Sequence, residues 1–316
     1  MPLKLNIIGR SNGVGLDQDA KLIKATLEAA GMQVTVSHSR GISWLQSLLP
    51  KRPQYDANIF LERTFPRWFG TAKHNLLIPN QERYPHRLTP KLKHMHAVLC
   101  KTHHAEHIFN QFAPSHYIGF SSPDRSLPDR AMDYQRFFHL AGKSTLKGTQ
   151  TLLELWQKHP EWPSLTLVQH ASNAPTSVPD NVDLITDYLS NAELQKLQNS
   201  HGIHLCPSLS EGWGHYIVEA MSCKALVVTT DAPPMNELIS PDRGTLVPIS
   251  KSEPRHLGTN FYVDPHQLEQ KLTQLMQLPE ETKKQMGAKA HTWFEENNAT
   301  FRTHLPEVIV NILNSQ

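Results

Sequence analysis

The chain has 316 residues, of which 39% are hydrophobic and 19% charged, and its formal net charge is +2. That is enough chain for two domains of ordinary size, each with its own core, and it is too apolar for a disordered polyelectrolyte. No stretch approaches the roughly 20 apolar residues of a membrane-spanning helix. Residues 1–9 read as a strand entering a glycine loop rather than a leader, so the expected location is the cytoplasm. Three cysteines, Cys100, Cys206 and Cys223, lack Cys-x-x-Cys spacing, which argues for reduced, packed thiols. Histidines cluster at His94, His96, His103, His104 and His107, but no His-Glu-x-x-His occurs and no metal site is expected. Charge is uneven, because residues 51–136 carry thirteen Lys or Arg against seven Asp or Glu. An anionic partner on that half is one reading and solvated helix faces are the other. Lys91 and Lys93 form one candidate pair; Arg63 and Arg67 form a second that shares a face if 62–69 is helical.

Taken in chain order, the apolar patterning predicts a strand at 5–9, a glycine turn containing Gly13 and Gly15, and a helix over 17–30. A strand at 33–36, a helix over 43–49 and strands at 57–61, 74–79 and 97–100 follow. This alternation implies a parallel sheet wrapped by helices. The turn formers of 121–128 mark a linker. A second alternation then begins, with strands at 137–142, 165–169, 182–185, 203–206 and 226–229 and helices over 148–158, 191–199 and 216–222. The last helical pattern, 297–313, is expected to break or restart at Pro306. The fold class is therefore α/β with two doubly wound Rossmann-like domains, 1–122 and 123–296, and a terminal helix, 297–316.

Glu211 and Glu219 bracket a run with Gly212, Trp213, Gly214, His215 and Tyr216 between a strand and a helix start. Ionised carboxylates accept strongly from vicinal hydroxyls of a sugar or a ribose. The glycines let bare N–H groups approach a diphosphate at a helix N-terminus. Gly142, Lys143, Lys147 and Gly148 close the strand at 137–142, where two cations could neutralise a leaving diphosphate. Gly13 and Gly15 sit at a strand-to-helix turn that permits close approach to a phosphate, with the wrong spacing for a dinucleotide fingerprint. Asn80, Gln81 and Glu82 follow one strand and His103 and His104 another, at the strand ends where open α/β sheets bind ligands, which makes them acceptor-side candidates. Ordinary loop capping is the alternative for both groups. Ser190 is placed to cap the helix at 191–199.

The segment 207–221 with the strand at 226–229 resembles the E-x7-E signature of retaining GT-B glycosyltransferases, the large family 4 in particular. The resemblance covers roughly 137–240 well and the first half only by pattern. It implies a GT-B fold, two Rossmann-like domains facing a cleft with the C-terminal helix crossing back to the first. It further implies that Glu211 holds donor-sugar hydroxyls, Glu219 holds the ribose, and Lys143 and Lys147 stabilise the diphosphate. Lys143 stands where related enzymes have an arginine, and an ammonium is a point charge rather than a fork. Asp187 and Tyr188 fall on the base-binding turn, and Gly13 and Gly15 on a loop that touches donor phosphate or acceptor. Asp17 and Asp19 form the Asp-x-Asp of a different glycosyltransferase fold. Here they open a helix and read as first-turn carboxylates, so a metal-free reaction is expected. The implied donor is a nucleotide-sugar, a UDP-sugar foremost, with no further cofactor. An anionic acceptor such as a lipid-linked glycan or polysaccharide would bring the protein to the inner membrane face. The alternatives are hydroxylated bases of phage-type DNA and a non-catalytic sugar-nucleotide or glycan-binding module.

Overall fold

A computed structural model describes residues 1–10, 15–43, 52–128 and 130–315. The helix expected over 43–49 therefore lies almost wholly outside the described residues, as does Gly13. The apolar runs of the first half form β1 (Lys4–Gly9), β2 (Gln33–His38), β3 (Tyr55–Glu62), β4 (Ala72–Pro79), β5 (Ala97–Cys100) and β6 (Ser115–Tyr117). They pair in parallel in the order β2-β1-β3-β4-β5-β6. Helices α1 (Gly15–Ala29) and α2 (His103–Phe109) belong to this half.

The second half forms β7 (Asp133–Gly142), β8 (Leu165–Gln169), β9 (Val182–Ile185), β10 (His201–Cys206), β11 (Leu226–Thr230) and β12 (Gly244–Val247). These make a parallel sheet in the order β12-β11-β10-β7-β8-β9. Its helices are α3 (Thr149–Lys158), α4 (Asn191–Ser200), α5 (His215–Ser222), α6 (Met235–Leu238) and α7 (Pro265–Gln277). Between β12 and α7 a separate hairpin, β13 (Ile249–Arg255) and β14 (Gly258–Val263), forms a two-stranded sheet of its own. In both large sheets the strand order reverses once, between β1 and β3 and between β7 and β10. Ligands bind open α/β sheets at such reversals, outside the carboxyl ends of the strands.

The chain divides into two compact units, one of residues 1–121, 255–258 and 297–316, the other of 122–254 and 259–296. The last helix, α8 (Glu280–Asn314), contributes its first half to the second unit and its second half to the first. It starts well before the pattern at 297–313, and Pro306 lies inside it rather than breaking it. Pro removes one helical hydrogen bond, but Phe301, Leu305 and Ile309 are buried on the same stripe and hold the helix through it. Phe301 meets Phe120 edge-on at 5.1 Å, and Asn297 donates to the Phe120 carbonyl at 2.8 Å, both within the first unit. Among the described residues no helix is long and apolar enough to cross a membrane.

The core of the second unit gathers Phe137, Trp156, Leu165, Leu205, Leu226 and Leu272. Burying each such side chain contributes about 1.5–3 kcal/mol. Two histidines are sealed beside it. His139 donates from Nδ1 to the Leu205 carbonyl at 2.7 Å and has Nε2 2.9 Å from Thr149 Oγ1, which joins β7, β10 and the start of α3. His204 has Nε2 3.0 Å from the Gln198 carbonyl and lies tilted against the Phe138 ring, centroids 5.0 Å apart. Burial lowers their pKa values, to about 4 for His139 and about 3 for His204. Both are neutral in the fold but charge near pH 6.5 once the chain unfolds, so their stabilising contribution is full above that pH and lost as pH falls toward 4. Each should steepen the loss by up to about 1.4 kcal/mol per pH unit. Urea midpoints measured between pH 7 and pH 4.5 should fall accordingly, and His204→Gln should flatten the curve.

Candidate active site

The reversal between β7 and β10 brings two loops together. After β7 the chain turns at Gly142, where φ is +54°, and the Ser144 N–H returns to the Ala141 carbonyl at 3.1 Å. Lys143 points into solvent, and its carbonyl accepts from Asn173 at 2.8 Å. Gly148 caps α3 with φ +71°, and a Cβ there would overlap the Pro207 carbonyl. Only glycine lets Lys147 lie so close to the loop after β10. That loop is fixed in turn. The Leu209 N–H donates to Leu146 at 2.9 Å, the Phe261 N–H donates to Leu209 at 2.7 Å, and Thr230 donates to the Ser208 carbonyl at 2.6 Å.

Glu211 is the hub of the loop. Its Oε1 accepts from Lys147 Nζ at 2.5 Å and from Ser208 Oγ at 2.5 Å, and Ser208 Oγ lies 2.6 Å from the Tyr216 hydroxyl. Lys147 Nζ also sits 3.6 Å from the Tyr216 ring centroid. The Glu211 and Lys147 side chains remain 13% and 16% exposed, so both heads stay reachable. Burial raises the Tyr216 pKa well above its ordinary value, which keeps its hydroxyl protonated. Charge-assisted hydrogen bonds of this kind are the strong ones. Ser208 is a member that the sequence reading missed.

Gly214, at φ +105°, opens α5 with Leu238 and Ile217 close against it. The Trp213 indole is buried and donates to Ser122 Oγ at 3.2 Å, while His215 Nδ1 lies 2.9 Å from the same hydroxyl. Trp213 and Tyr216 are thus packed inward, and the Ile217 and Val218 N–H groups both return to the Gly214 carbonyl, at 2.9 and 3.2 Å. Glu219, on the same helix, accepts from Gln198 at 3.2 Å, and Gln198 accepts from the buried Arg125 at 2.7 Å. Arg125 also binds Asn191 through its side chain and its carbonyl. This relay too was unread, because Arg125 and Ser122 sit in a stretch of turn formers far from α5 in sequence. Asp187 and Tyr188 are exposed on the loop after β9, two strands from β7, or roughly 10 Å at ordinary strand spacing. Ser190 caps α4 in a reciprocal pair with Glu193, as its sequence position suggests.

In the first unit, Asn80, Gln81 and Glu82 enter a tight turn after β4, and Gln81 and Glu82 are buried. Asn80 accepts from Lys101 at 3.1 Å. Lys101 pairs with Asp19 at 2.6 Å, both side chains nearly inaccessible. This corrects the reading of Asp19 as a first-turn carboxylate, since the helix begins at Gly15 and places Asp17 in its first turn and Asp19 facing the sheet. A Cβ on Gly15 would meet open space, so packing does not explain that glycine. His103 is exposed and stacks on Tyr117 with centroids 3.8 Å apart, and His104 is half-buried with its pKa lowered by that burial. Residues 62–69 are not one helix. Glu62 has φ +64° and a short turn covers Pro66–Trp68, so Arg63 and Arg67 do not share a helical face. All three cysteines are free and buried. Among the described residues no group of three or more His, Cys, Asp or Glu could hold a metal ion.

Known proteins supply the context for this geometry. The fold is the GT-B fold of glycosyltransferases: over nearly the whole chain it superposes on sucrose-phosphate synthase from Thermosynechococcus elongatus with a TM-score of 0.75 at 12% identity, covering 99% of this chain and 100% of that one. The Anabaena protein Alr3699/HepE in complex with UDP and glucose matches with a TM-score of 0.73 at 14% identity, over 99% and 100% of the two chains. A glycosyltransferase from Rickettsia africae matches with a TM-score of 0.73 at 14% identity over 100% of both. Residues 176–293, which contain Glu211 and Glu219, match the family model of glycosyl transferases group 1. No curated protein matches the chain in sequence.

Because Gly148 carries both a positive φ and the close approach to Pro207, Gly148→Ala should lower the melting midpoint by roughly 5 °C or more and displace Lys147. Differential scanning calorimetry checks the first effect. A variant that melts like the parent would remove the steric argument.

Proposed function

We propose that the chain is a retaining glycosyltransferase that moves a sugar from a UDP-sugar to an acceptor hydroxyl without a metal ion. The observation that carries this reading is the Lys147, Glu211, Ser208 and Tyr216 cluster beside the first turn of α5, at the strand reversal of a GT-B C-terminal sheet. Glu211 is fixed by Lys147 and Ser208, which orients its carboxylate toward donor-sugar hydroxyls. Lys147 and the N-terminal end of α5 supply positive potential where a diphosphate would lie. Lys143 adds an exposed cation on the same strand end, and Glu219, held by Gln198, is the ribose ligand. The presence of UDP and glucose in the Anabaena complex supports a UDP-sugar donor.

In the step proposed, the acceptor oxygen bonds to the anomeric carbon on the face from which the diphosphate departs. The anomeric carbon–oxygen bond breaks with its electron pair on the leaving phosphate, and that phosphate takes the acceptor proton. Retention follows without a covalent sugar–enzyme intermediate. The cationic surroundings of the diphosphate are the reason to expect metal independence, and Asp19 is committed to Lys101 rather than to a metal. The basic stretch of 51–136 supports an anionic acceptor, such as a lipid-linked glycan or polysaccharide, over a neutral one.

Steady-state kinetics with UDP-sugars test these roles. Glu211→Gln should reduce turnover more than donor affinity, and Glu219→Ala should chiefly raise the donor KM. Wild-type behaviour of both variants at saturating and limiting donor would overturn the assignment. Lys147→Ala should lose activity by roughly 10²-fold. Transfer should also persist in excess chelator, and inhibition that added metal reverses would defeat the metal-free step.

A further inference from the structure

Three chain segments meet at the carboxyl edge of the first sheet, beside its strand reversal. Arg63 follows directly on β3, whose last residue Glu62 takes φ +64°. Residues 81–87 follow β4 and bring Arg83, His86 and Arg87. The third segment is the tip of the β13–β14 hairpin, residues 255–258, which belongs to the first unit. An isolated two-stranded sheet is marginally stable in water, and β13 is almost wholly exposed, so the hairpin needs an anchor. Leu257 provides one. It packs against the first unit's core of Phe60, Leu77, Tyr84 and Phe109, and its N–H donates to the Tyr84 carbonyl at 3.2 Å. Gly258 completes the seat, because a Cβ there would stand 3.1 Å from the Glu82 backbone.

The anchor holds Arg255 and His256 beside Arg63 and Arg87. Burial and then the neighbouring charges, Arg255 and Arg63 foremost, depress the His256 pKa. Two acids also lie at this edge, with Arg83 Nε 3.6 Å from Glu82 Oε1 and 3.9 Å from Glu62 Oε1. Among the described residues, the buried Nε groups of both Arg63 and Arg255 have no hydrogen-bond partner. Two buried N–H donors of fixed charge without an acceptor are costly unless a ligand supplies one.

We propose that Arg63, Arg87, Arg255 and His256 form an oxyanion site in the first unit that takes a phosphate group of the acceptor. Guanidinium forks match phosphate oxygens two by two, which is the recognition that ammonium groups supply poorly. The hairpin then has a purpose that its own stability does not give it, which is to deliver a guanidinium and an imidazole N–H to an edge where the segments after β3 and β4 supply two more guanidinium groups. That the phosphate belongs to an acceptor rests on the glycosyltransferase reading; the oxyanion site itself does not.

Isothermal titration of the full chain separates the two. Sodium phosphate is titrated with UDP saturating, so that any donor diphosphate site is filled, and UDP is titrated alone. The paired variant Arg63→Gln/Arg255→Gln should weaken phosphate binding roughly tenfold or more, the scale of losing charged hydrogen bonds. Arg255→Gln alone, in the exposed hairpin, should weaken it by a smaller factor. Its melting curve confirms that the fold survives. Lys91→Gln/Lys93→Gln should change phosphate binding little. Co-sedimentation with phosphatidylglycerol vesicles against phosphatidylcholine vesicles distinguishes a lipid headgroup from a soluble phosphate ester, both of which fit the site. Equal phosphate affinity in wild type and both arginine variants would overturn the proposal, as would an equal loss in the lysine variant. Failure of UDP to bind would instead defeat the donor reading and leave the oxyanion result standing.

Discussion

The close approach of Gly148 to the Pro207 carbonyl is the constraint on which the candidate site depends. Parallel strands β7 and β10 end side by side, and each must turn away into a helix. The backbone of one turn lies directly on the backbone of the other, which a Cβ would prevent. With that seam closed, Lys147 reaches Glu211 at 2.5 Å and the Tyr216 ring at 3.6 Å. His139 reinforces it from below by bonding both the Leu205 carbonyl and Thr149, one residue beyond Gly148. A charged pair with limited solvent access gains from strong Coulomb attraction only if desolvation is offset by further hydrogen bonds. Ser208 and Tyr216 provide those bonds here.

The second glutamate is held by a different device. Glu219 sits on α5, and its partner Gln198 sits at the end of α4, fixed by Arg125 from the stretch that opens the second unit. Arg125 is buried, and each described contact of its guanidinium nitrogens is directed at an amide oxygen or a carbonyl. An amide placed between a guanidinium and a carboxylate passes orientation without merging the two charges into one ion pair. Glu211 therefore answers to a cation directly, and Glu219 answers to one through an amide, which gives the two carboxylates different surroundings on one short run of sequence.

Much of this was legible in the sequence because short-range patterns caused it. Apolar runs bounded by turn formers marked the parallel strands, the spacing of Glu211 and Glu219 pointed to the loop and helix start after β10, and Ser190 marked a helix cap. What the sequence hid depends on partners far along the chain. Asp19 reads as a helix-start carboxylate until β5 brings Lys101 to it across 82 positions. Arg125 and Ser122 look like linker residues until α4 and α5 close around them. Pro306 suggests a break until the burial of Phe301, Leu305 and Ile309 overrides it. The β13–β14 hairpin escaped notice because neither strand has a buried face to create an alternating pattern, β13 being exposed along nearly its whole length.

The composition of the first unit has a consequence for biosynthesis. Its sheet is complete by residue 117, yet the surface around Tyr117 and Phe120 is covered by residues 297–314, which bond to both through His304 and Asn297. Those residues leave the ribosome only after the entire second unit has been made. Domains usually fold as they emerge, N-terminal first. Here the N-terminal domain must wait, with Phe120 uncovered, through the synthesis of some 175 intervening residues. The second unit can thus finish folding before the first, and the nascent chain carries an exposed aromatic patch of the kind that chaperones bind.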